Sequence, residues 1–246
     1  MFVKIAGTII DNISIKEALE KINYALANDQ TLHIVTINPE FIVLASKNID
    51  FQNVVNEAEI RTADGFGLIL FARLILKKKL KRAPGSDLTN AIFANHKIAS
   101  QPIFLLGGRE GVAYSAAKKI KAQYPDANIV GTDSGFNDIH QPTLLEYNKI
   151  IDKIDKSGAK ILLVAYNAPF AQLFIKEYLP RFQNIQIAMG IGGALDFWTN
   201  VKRAPKIMRI IGLEWMWRLI LQPWRLPRIY KAIVKFWLLA NQQKDV

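Results

Sequence analysis

The chain of 246 residues contains no cysteine and only three histidines. The absence of cysteine excludes disulfide bonds, thiolate metal sites and cysteine nucleophiles, and it fits a reducing cytoplasm. His33, His96 and His140 lie far apart without the spacing of metal ligands, so ordinary core or surface roles are favoured over a zinc site. Any chemistry therefore depends on carboxylate, hydroxyl, amide and basic side chains.

Long apolar runs are also missing, although half of the residues are hydrophobic. The closest candidate, residues 207–224, is interrupted by Arg209, Glu214 and Arg218, so a membrane-spanning helix is not expected. Residues 1–22 lack the basic, apolar and small-residue regions of a secretory signal, which predicts a mature N-terminus.

No two aspartates are separated by a single residue. An Asp-x-Asp clamp for a metal-bound nucleotide diphosphate is therefore unavailable, and neither a metal nor a cofactor is expected. Charge on a phosphate leaving group would have to be neutralised by arginine, lysine or helix ends.

Positive charge is concentrated at the C-terminal end. Residues 201–246 contain ten lysine or arginine residues against two acidic residues, so they carry a net charge of +8 out of the total of +11. Four of the five tryptophans lie in the same segment. We predict an organisational boundary near residue 200, with an α/β domain over 1–200 and a basic, tryptophan-rich helical appendage over 201–246.

Apolar runs alternate with helical patterns over the first two hundred residues. This alternation is typical of β–α–β units and predicts an α/β fold with a Rossmann-like, largely parallel sheet and flanking helices. Helices are predicted at about Pro39–Ser46 and Phe51–Ala58, and another opens at Gly67. After residue 200 the pattern changes to helical pieces divided by Pro223 and Pro227.

In parallel α/β sheets, ligands bind at the carboxyl ends of the strands, so candidate site residues are sought there. That rule selects Thr36, Asn38, Asp64, Gly65, Gly107, Gly108, residues 167–172, Gly190, Gly192 and Gly193.

Asp64 is the strongest candidate for acid–base chemistry. A carboxylate beside a glycine at a strand end can approach a substrate hydroxyl and remove its proton, which contributes roughly 10²- to 10⁴-fold to a rate. The alternative is a turn or capping aspartate, because Asp-Gly is a common turn dipeptide.

The glycine pairs are weaker signals. Gly107 and Gly108 precede a helix and could present backbone amides to a phosphate. "GIGGAL", which begins at Gly190, imitates a dinucleotide fingerprint but lacks the third glycine and a suitable acidic residue, so a nicotinamide site is disfavoured.

The C-terminal mixture of tryptophan and arginine suits two kinds of partner. Tryptophan prefers the membrane interface, and each cation is worth about 1 kcal/mol near anionic headgroups. Nucleic acid would also attract this charge. The aliphatic content of "IIGLEWMW" and "AIVKFWLLA" favours an in-plane amphipathic helix on an anionic membrane, with no nucleic-acid partner. The remaining alternative is that the tryptophans cap the core.

Several ordered stretches carry a family resemblance: "TINPEFIVLASKN", "TADGFGLILFARL", "RAPGSDL", "IFLLGGREGVA", "IVGTDSGF" and "GIGGALDFWTNVKRAPKIMRIIGLEWMWRLILQPWR". Together they resemble the bacterial WecG/TagA/CpsF glycosyltransferases. The family includes N-acetylmannosaminyltransferases of wall teichoic acid synthesis and N-acetylmannosaminuronic acid transferases of enterobacterial common antigen synthesis. The resemblance covers the chain from about Ile5 to Leu226.

The resemblance implies an inverting, metal-independent transfer of a sugar from a UDP-sugar to a polyprenyl-diphosphate-linked sugar. It places Thr36 and Asn38 in the active site, Asp64 as general base and Arg82 in a neighbouring loop. It also implies that the appendage touches the cytoplasmic membrane face and brings arginines over the site, which correspond to Arg203, Arg209, Arg218 and Arg225. Family members often self-associate, so the resemblance leaves a homo-oligomer open, although the sequence itself indicates no subunit interface.

One segment departs from the family pattern. Where the family usually has Gly-x-Gly-Ala/Ser-Pro-Lys-Gln-Glu, residues 165–172 read "AYNAPFAQ", so Gln172 stands at the end of an altered donor-side motif. Tyr166 and Phe170 would fill space that is normally open or polar. Two interpretations follow: the donor is a different UDP-sugar, or the protein is a non-catalytic scaffold of the same pathway. Pro84 replaces the usual alanine beside Arg82.

Overall fold

The computed structural model describes residues 2–199, 203–205, 208, 213–221 and 223–242, without the side chains of residues 214, 218, 225, 228, 231 and 232. The strands β1–β8 are Phe2–Ile5, Thr8–Asp11, Leu32–Ile37, Ile60–Ala63, Ile103–Gly107, Ile129–Asp133, Ile161–Ala165 and Ile187–Gly190. β3 to β8 form one parallel sheet in the order β4-β3-β8-β7-β5-β6. The predicted α/β fold with a parallel sheet is confirmed.

Helices connect the strands and cover both faces of the sheet. Helices α1–α9 are Ile15–Ala27, Pro39–Ala45, Ile49–Glu57, Phe66–Leu74, Gly85–Ala94, His96–Ala99, Val112–Gln123, Leu144–Lys156 and Phe170–Tyr178. Short 3₁₀ helices follow at Leu179–Arg181 and Gly192–Trp198. In the C-terminal segment lie α10, Glu214–Leu221, a 3₁₀ turn at Pro223–Arg225, α11, Leu226–Tyr230, a π-helical turn at Lys231–Lys235 and α12, Phe236–Gln242.

Local sequence signals determine where these helices begin. Asn38 caps α2, because its Oδ1 accepts a hydrogen bond from the Phe41 N–H at 3.0 Å while Pro39 occupies the first turn. Capping boxes begin α1 at Ser14 and α8 at Thr143. The helix after β4 begins at Phe66, one residue before the predicted start.

The core divides between the two faces of the sheet because neighbouring strand residues point to opposite sides. Ile34 belongs to the face that α1, α5 and α7 cover, whereas Val35 belongs to the face that α2, α3 and α4 cover. A third apolar cluster lies under α8 and α9, on Phe104, Leu106, Leu162 and Val164.

The N-terminal hairpin, β1 and β2, packs beside β4. Arg61 on β4 forms a 3.1 Å ion pair with Asp11 at the end of β2. Asn56 accepts a hydrogen bond from the Ile9 N–H at 2.8 Å and donates one to the Gly7 carbonyl at 2.9 Å. These contacts hold the hairpin against β4, which is the edge strand of the parallel sheet.

The C-terminal segment has two kinds of aromatic residue. Phe236 is fully buried and its ring contacts Phe71 of α4 edge-on, with centroids 5.4 Å apart. Trp237 contacts the same phenylalanine at 5.4 Å. By contrast, Trp224 is 70% exposed and Trp215 is 41% exposed. Core capping therefore accounts for the end of the chain but not for these two tryptophans.

Candidate active site

A cavity of about 420 Å³ opens at the carboxyl ends of β3, β4, β7 and β8. This edge is where parallel α/β sheets hold their ligands. Its wall includes many residues selected from the sequence: Thr36, Asn38, Asp64, Gly65, Arg82, Gln172, Gly190, Gly192 and Gly193. Residues far apart in the sequence are thus brought together by the predicted topology.

Asp64 follows the last residue of β4. Its backbone N–H donates to the Ile37 carbonyl at 2.7 Å, and its Oδ2 accepts a hydrogen bond from the Gly85 N–H at 3.2 Å. Gly65 has φ of +90°, a conformation that favours glycine and turns the chain directly into α4. The positive end of α5 and the Gly85 N–H both stabilise negative charge on the Asp64 carboxylate.

The loop that carries Arg82 is pinned against β4. The Ala83 N–H donates to the Ala63 carbonyl at 2.9 Å, and the Thr62 hydroxyl donates to the Ala83 carbonyl at 2.8 Å. This short parallel extension of the sheet places Arg82 on the cavity wall, beside the start of α5.

Thr36 and Asn38 lie at the end of β3. Thr36 is buried, and its hydroxyl oxygen approaches Gly85 so closely that a Cβ there would stand 2.7 Å away. Asn38 lines the cavity although its Oδ1 caps α2, and its Nδ2 makes no hydrogen bond to a described residue. A capping role and a ligand-binding role can therefore coexist at Asn38.

Gln172 in the first turn of α9 presents an unused acceptor. The residue is 1% exposed, and its Oε1 has no hydrogen-bond partner among the described residues. Its Nε2 lies against Gly190, where an added Cβ would be 2.4 Å away. Because a buried unsatisfied acceptor costs free energy, a substrate hydroxyl or N–H that donates to Gln172 would bind with advantage.

Tyr166, in the altered 165–172 segment, is buried and lines the cavity. Its ring lies 2.9 Å from the position of a Cβ on Gly107, and burial raises the pKa of its hydroxyl. Phe170 turns to another neighbour, since its ring contacts His140 edge-on at 4.9 Å. Gly107 and Gly108 are described but do not line the cavity.

The structure describes the side chain of only one of the four C-terminal arginines that the resemblance places over the site. Arg203 donates to the Ser86 hydroxyl at 2.9 Å and forms an ion pair with Asp87, in the first turn of α5. Arg209 lies outside the described residues. Arg218 and Arg225 lie in α10 and in the following 3₁₀ turn, and their side chains are outside the described part.

Apolar residues of the C-terminal segment complete the cavity: Trp215, Ile229, Ile233 and Trp237. A second carboxylate, Glu40 in the first turn of α2, also lines it. Sequence reasoning missed Glu40, although its position two residues after Asn38 was a usable signal. Among the described residues, no group of three or more histidine or acidic side chains could hold a metal ion.

A carboxylate, amides and an arginine around a cavity at this edge define an α/β protein that binds a polar small molecule. Residues 3–245, which make up nearly the whole chain, match the Glycosyl transferase WecG/TagA/CpsF family. The chain therefore belongs to this family, and the resemblance is confirmed. It is a glycosyltransferase of polysaccharide synthesis, with a sugar donor and an acceptor as substrates.

Within the described part of the chain, no helix has both the length and the hydropathy that crossing a bilayer requires.

Proposed function

We propose that the protein moves a sugar, such as ManNAc, ManNAcA or a related hexose, from a UDP-sugar to an undecaprenyl-diphosphate-linked sugar, with inversion at the anomeric carbon. The observation that supports this most is the shared cavity. Asp64 and Arg82 line it from the α/β core, while Trp215 and Trp237 line it from the basic C-terminal segment. A polar donor and a lipid-linked acceptor would meet in such a space.

The proposed chemistry is a single displacement. The acceptor hydroxyl oxygen attacks the anomeric carbon, and Asp64 takes the hydroxyl proton as general base. The bond between that carbon and the UDP oxygen breaks, and UDP leaves with the electron pair. No metal takes part, and Arg82 with the tail arginines Arg209, Arg218 and Arg225 offsets the charge on the leaving diphosphate.

The remaining polar residues position the sugars. Gln172 offers its Oε1 as an acceptor and Asn38 offers its Nδ2 as a donor, while Thr36 lines the cavity beside Gly85. Gly192 and Gly193 leave part of the neighbouring wall without side chains, which gives the nucleotide room, whereas the space at Gly190 is taken by the Gln172 amide.

The membrane contact is proposed for the exposed face of the C-terminal segment on the inner surface of the plasma membrane. The exposed apolar residues of this segment include Ile220, Leu221, Trp224, Leu226 and Tyr230. Burying such side chains in headgroups adds to the attraction of a net +8 for anionic lipid.

A UDP-release screen tests the proposal. Full-length protein would be supplied with a panel of UDP-sugars and a short-chain polyprenyl-diphosphate-GlcNAc acceptor. We expect UDP to be released from one class of UDP-sugar, and only when the acceptor is present. Truncation near residue 200 is a poor control because it would uncover Phe71, so Asp64→Asn in the full chain should be used instead.

A scaffold without catalysis is the second candidate, because Tyr166 fills space beside the cavity. It predicts vesicle binding without UDP release from any donor. Cosedimentation with anionic vesicles, compared with oligonucleotide binding, also tests the expectation that nucleic acid is not a partner.

A further inference from the structure

Arg203 connects the C-terminal segment to one particular helix of the core. Its guanidinium group donates to the Ser86 hydroxyl at 2.9 Å and pairs with the Asp87 carboxylate. Both partners belong to the first turn of α5. The ion pair is largely buried, since the Arg203 and Asp87 side chains are 18% and 28% exposed, so it is better shielded from solvent than an ordinary surface pair.

The same helix turn holds the proposed base. Gly85, the first residue of α5, donates its N–H to Oδ2 of Asp64 at 3.2 Å. Only one residue, Ser86, separates this donor from Asp87. A shift of the first turn would therefore move the N–H that contacts the Asp64 carboxylate.

Arg203 also touches the cavity wall by another route. Its guanidinium group lies over the ring of Phe197, 5.3 Å from the centroid. Phe197 and Ser86 both line the cavity that contains Asp64. The Arg203 guanidinium group thus contacts three residues around the site, Ser86, Asp87 and Phe197.

We propose that Arg203 is a positioning residue, which holds the first turn of α5 and through Gly85 the Asp64 carboxylate. The inference rests on the proposed role of Asp64. The C-terminal segment would then support the reaction by fixing the base as well as by contacting substrate. Misplacement of a reacting group by about 1 Å can cost roughly 100-fold in rate.

A double-mutant cycle on the full-length protein tests this role. Arg203→Met keeps most of the apolar stem and removes the charge, and Asp87→Asn removes the opposite charge in nearly the same volume. Each change should lower kcat about tenfold with KM changed less than about twofold, because the interaction acts on the reacting group. The double variant should be no worse than the poorer single variant. Arg203→Lys should recover part of the loss.

Asp11→Asn is the matched control. It breaks the Arg61–Asp11 pair, whose side chains are 19% and 24% exposed, at the hairpin and away from α5. We expect a loss of stability with kcat unchanged. Unchanged kcat in both site variants, losses that multiply in the double variant, or an equal loss in Asp11→Asn would each overturn the inference.

Hydrogen exchange separates this inference from the proposed function. In Arg203→Met, amides in residues 82–90 should exchange faster, because the turn that places the Gly85 N–H on Asp64 is loosened. This readout needs no substrate. Faster exchange in a protein that transfers no sugar would reject the proposed function and keep the coupling, whereas transfer with unchanged exchange would reject the coupling alone.

Discussion

A Cβ on Gly85 would stand 2.7 Å from Oγ1 of Thr36, which is closer than real Cβ contacts. The turn beside Asp64 therefore requires glycine at position 85, because the Thr36 hydroxyl leaves no room for a larger side chain. Gly85→Ala should destabilise the fold by about 1–3 kcal/mol through overpacking.

Thr36→Ala provides the test of that cause, since it removes the hydroxyl oxygen. The cost of Gly85→Ala, measured by urea unfolding, should be clearly smaller in the Thr36→Ala background. An equal cost in both backgrounds would show that the contact with Oγ1 is not responsible.

The C-terminal segment should contribute to stability through one of its aromatic residues and not another. Phe236→Ala removes a fully buried ring from the contact with Phe71 and should cost about 3–5 kcal/mol. Trp224→Ala, at a 70% exposed position, should stay within about 0.5 kcal/mol. Denaturant midpoints for the two variants check this. Similar losses of stability would contradict the assignment of Phe236 to the core and of Trp224 to the surface.

Trp224 should instead contribute to membrane binding. Losing one large side chain from the interface costs about 1.5–3 kcal/mol, so Trp224→Ala should weaken binding to phosphatidylglycerol-containing vesicles by about tenfold or more. Leu144→Ala is the control, because Leu144 is 81% exposed at the start of α8, outside the C-terminal segment. Equal binding by both variants in a cosedimentation assay would remove the proposed membrane surface.

His33 should make stability depend on pH. Burial lowers its pKa to about 4, with a smaller contribution from Lys176, whereas the unfolded value is 6.5. Between these values the unfolded chain binds a proton that the folded chain does not, so stability falls as pH falls. The free energy of unfolding should drop by about 2 kcal/mol from this group between pH 7 and pH 5.

His33→Gln serves as the comparison, because other titrating groups are shared with the parent protein. The difference between the two pH profiles should contain the whole effect. Parallel profiles from urea unfolding would contradict this assignment to His33.

Much of the fold is predictable because periodicity is a local property. Pro39 and Asn38 together indicate where α2 begins, and the strand-end rule selects Thr36 and Asp64 before any coordinates. The N-terminal hairpin is harder to predict, since its strands, Phe2–Ile5 and Thr8–Asp11, have only four residues each.

The sequence pattern does not predict which of several similar side chains enters the core or forms a particular ion pair. A segment that is apolar on several sides does not show that Phe236 enters the core while Trp224 faces outward. Charge alone does not show that Arg203 pairs with Asp87, because that contact joins residues more than a hundred positions apart. Such choices are made by tertiary packing.

Turnover by Asp64→Asn is the most direct test of the account. The purified full-length variant would be assayed for UDP release with its donor and a polyprenyl-diphosphate-linked acceptor, beside Glu40→Gln as a matched carboxylate-to-amide change in the same cavity. We predict that Asp64→Asn loses roughly 10²- to 10⁴-fold in kcat while its unfolding midpoint and vesicle binding are retained, and that Glu40→Gln loses far less. Activity of Asp64→Asn close to that of the parent protein, or a larger loss in Glu40→Gln, would contradict the assignment of Asp64 as the base.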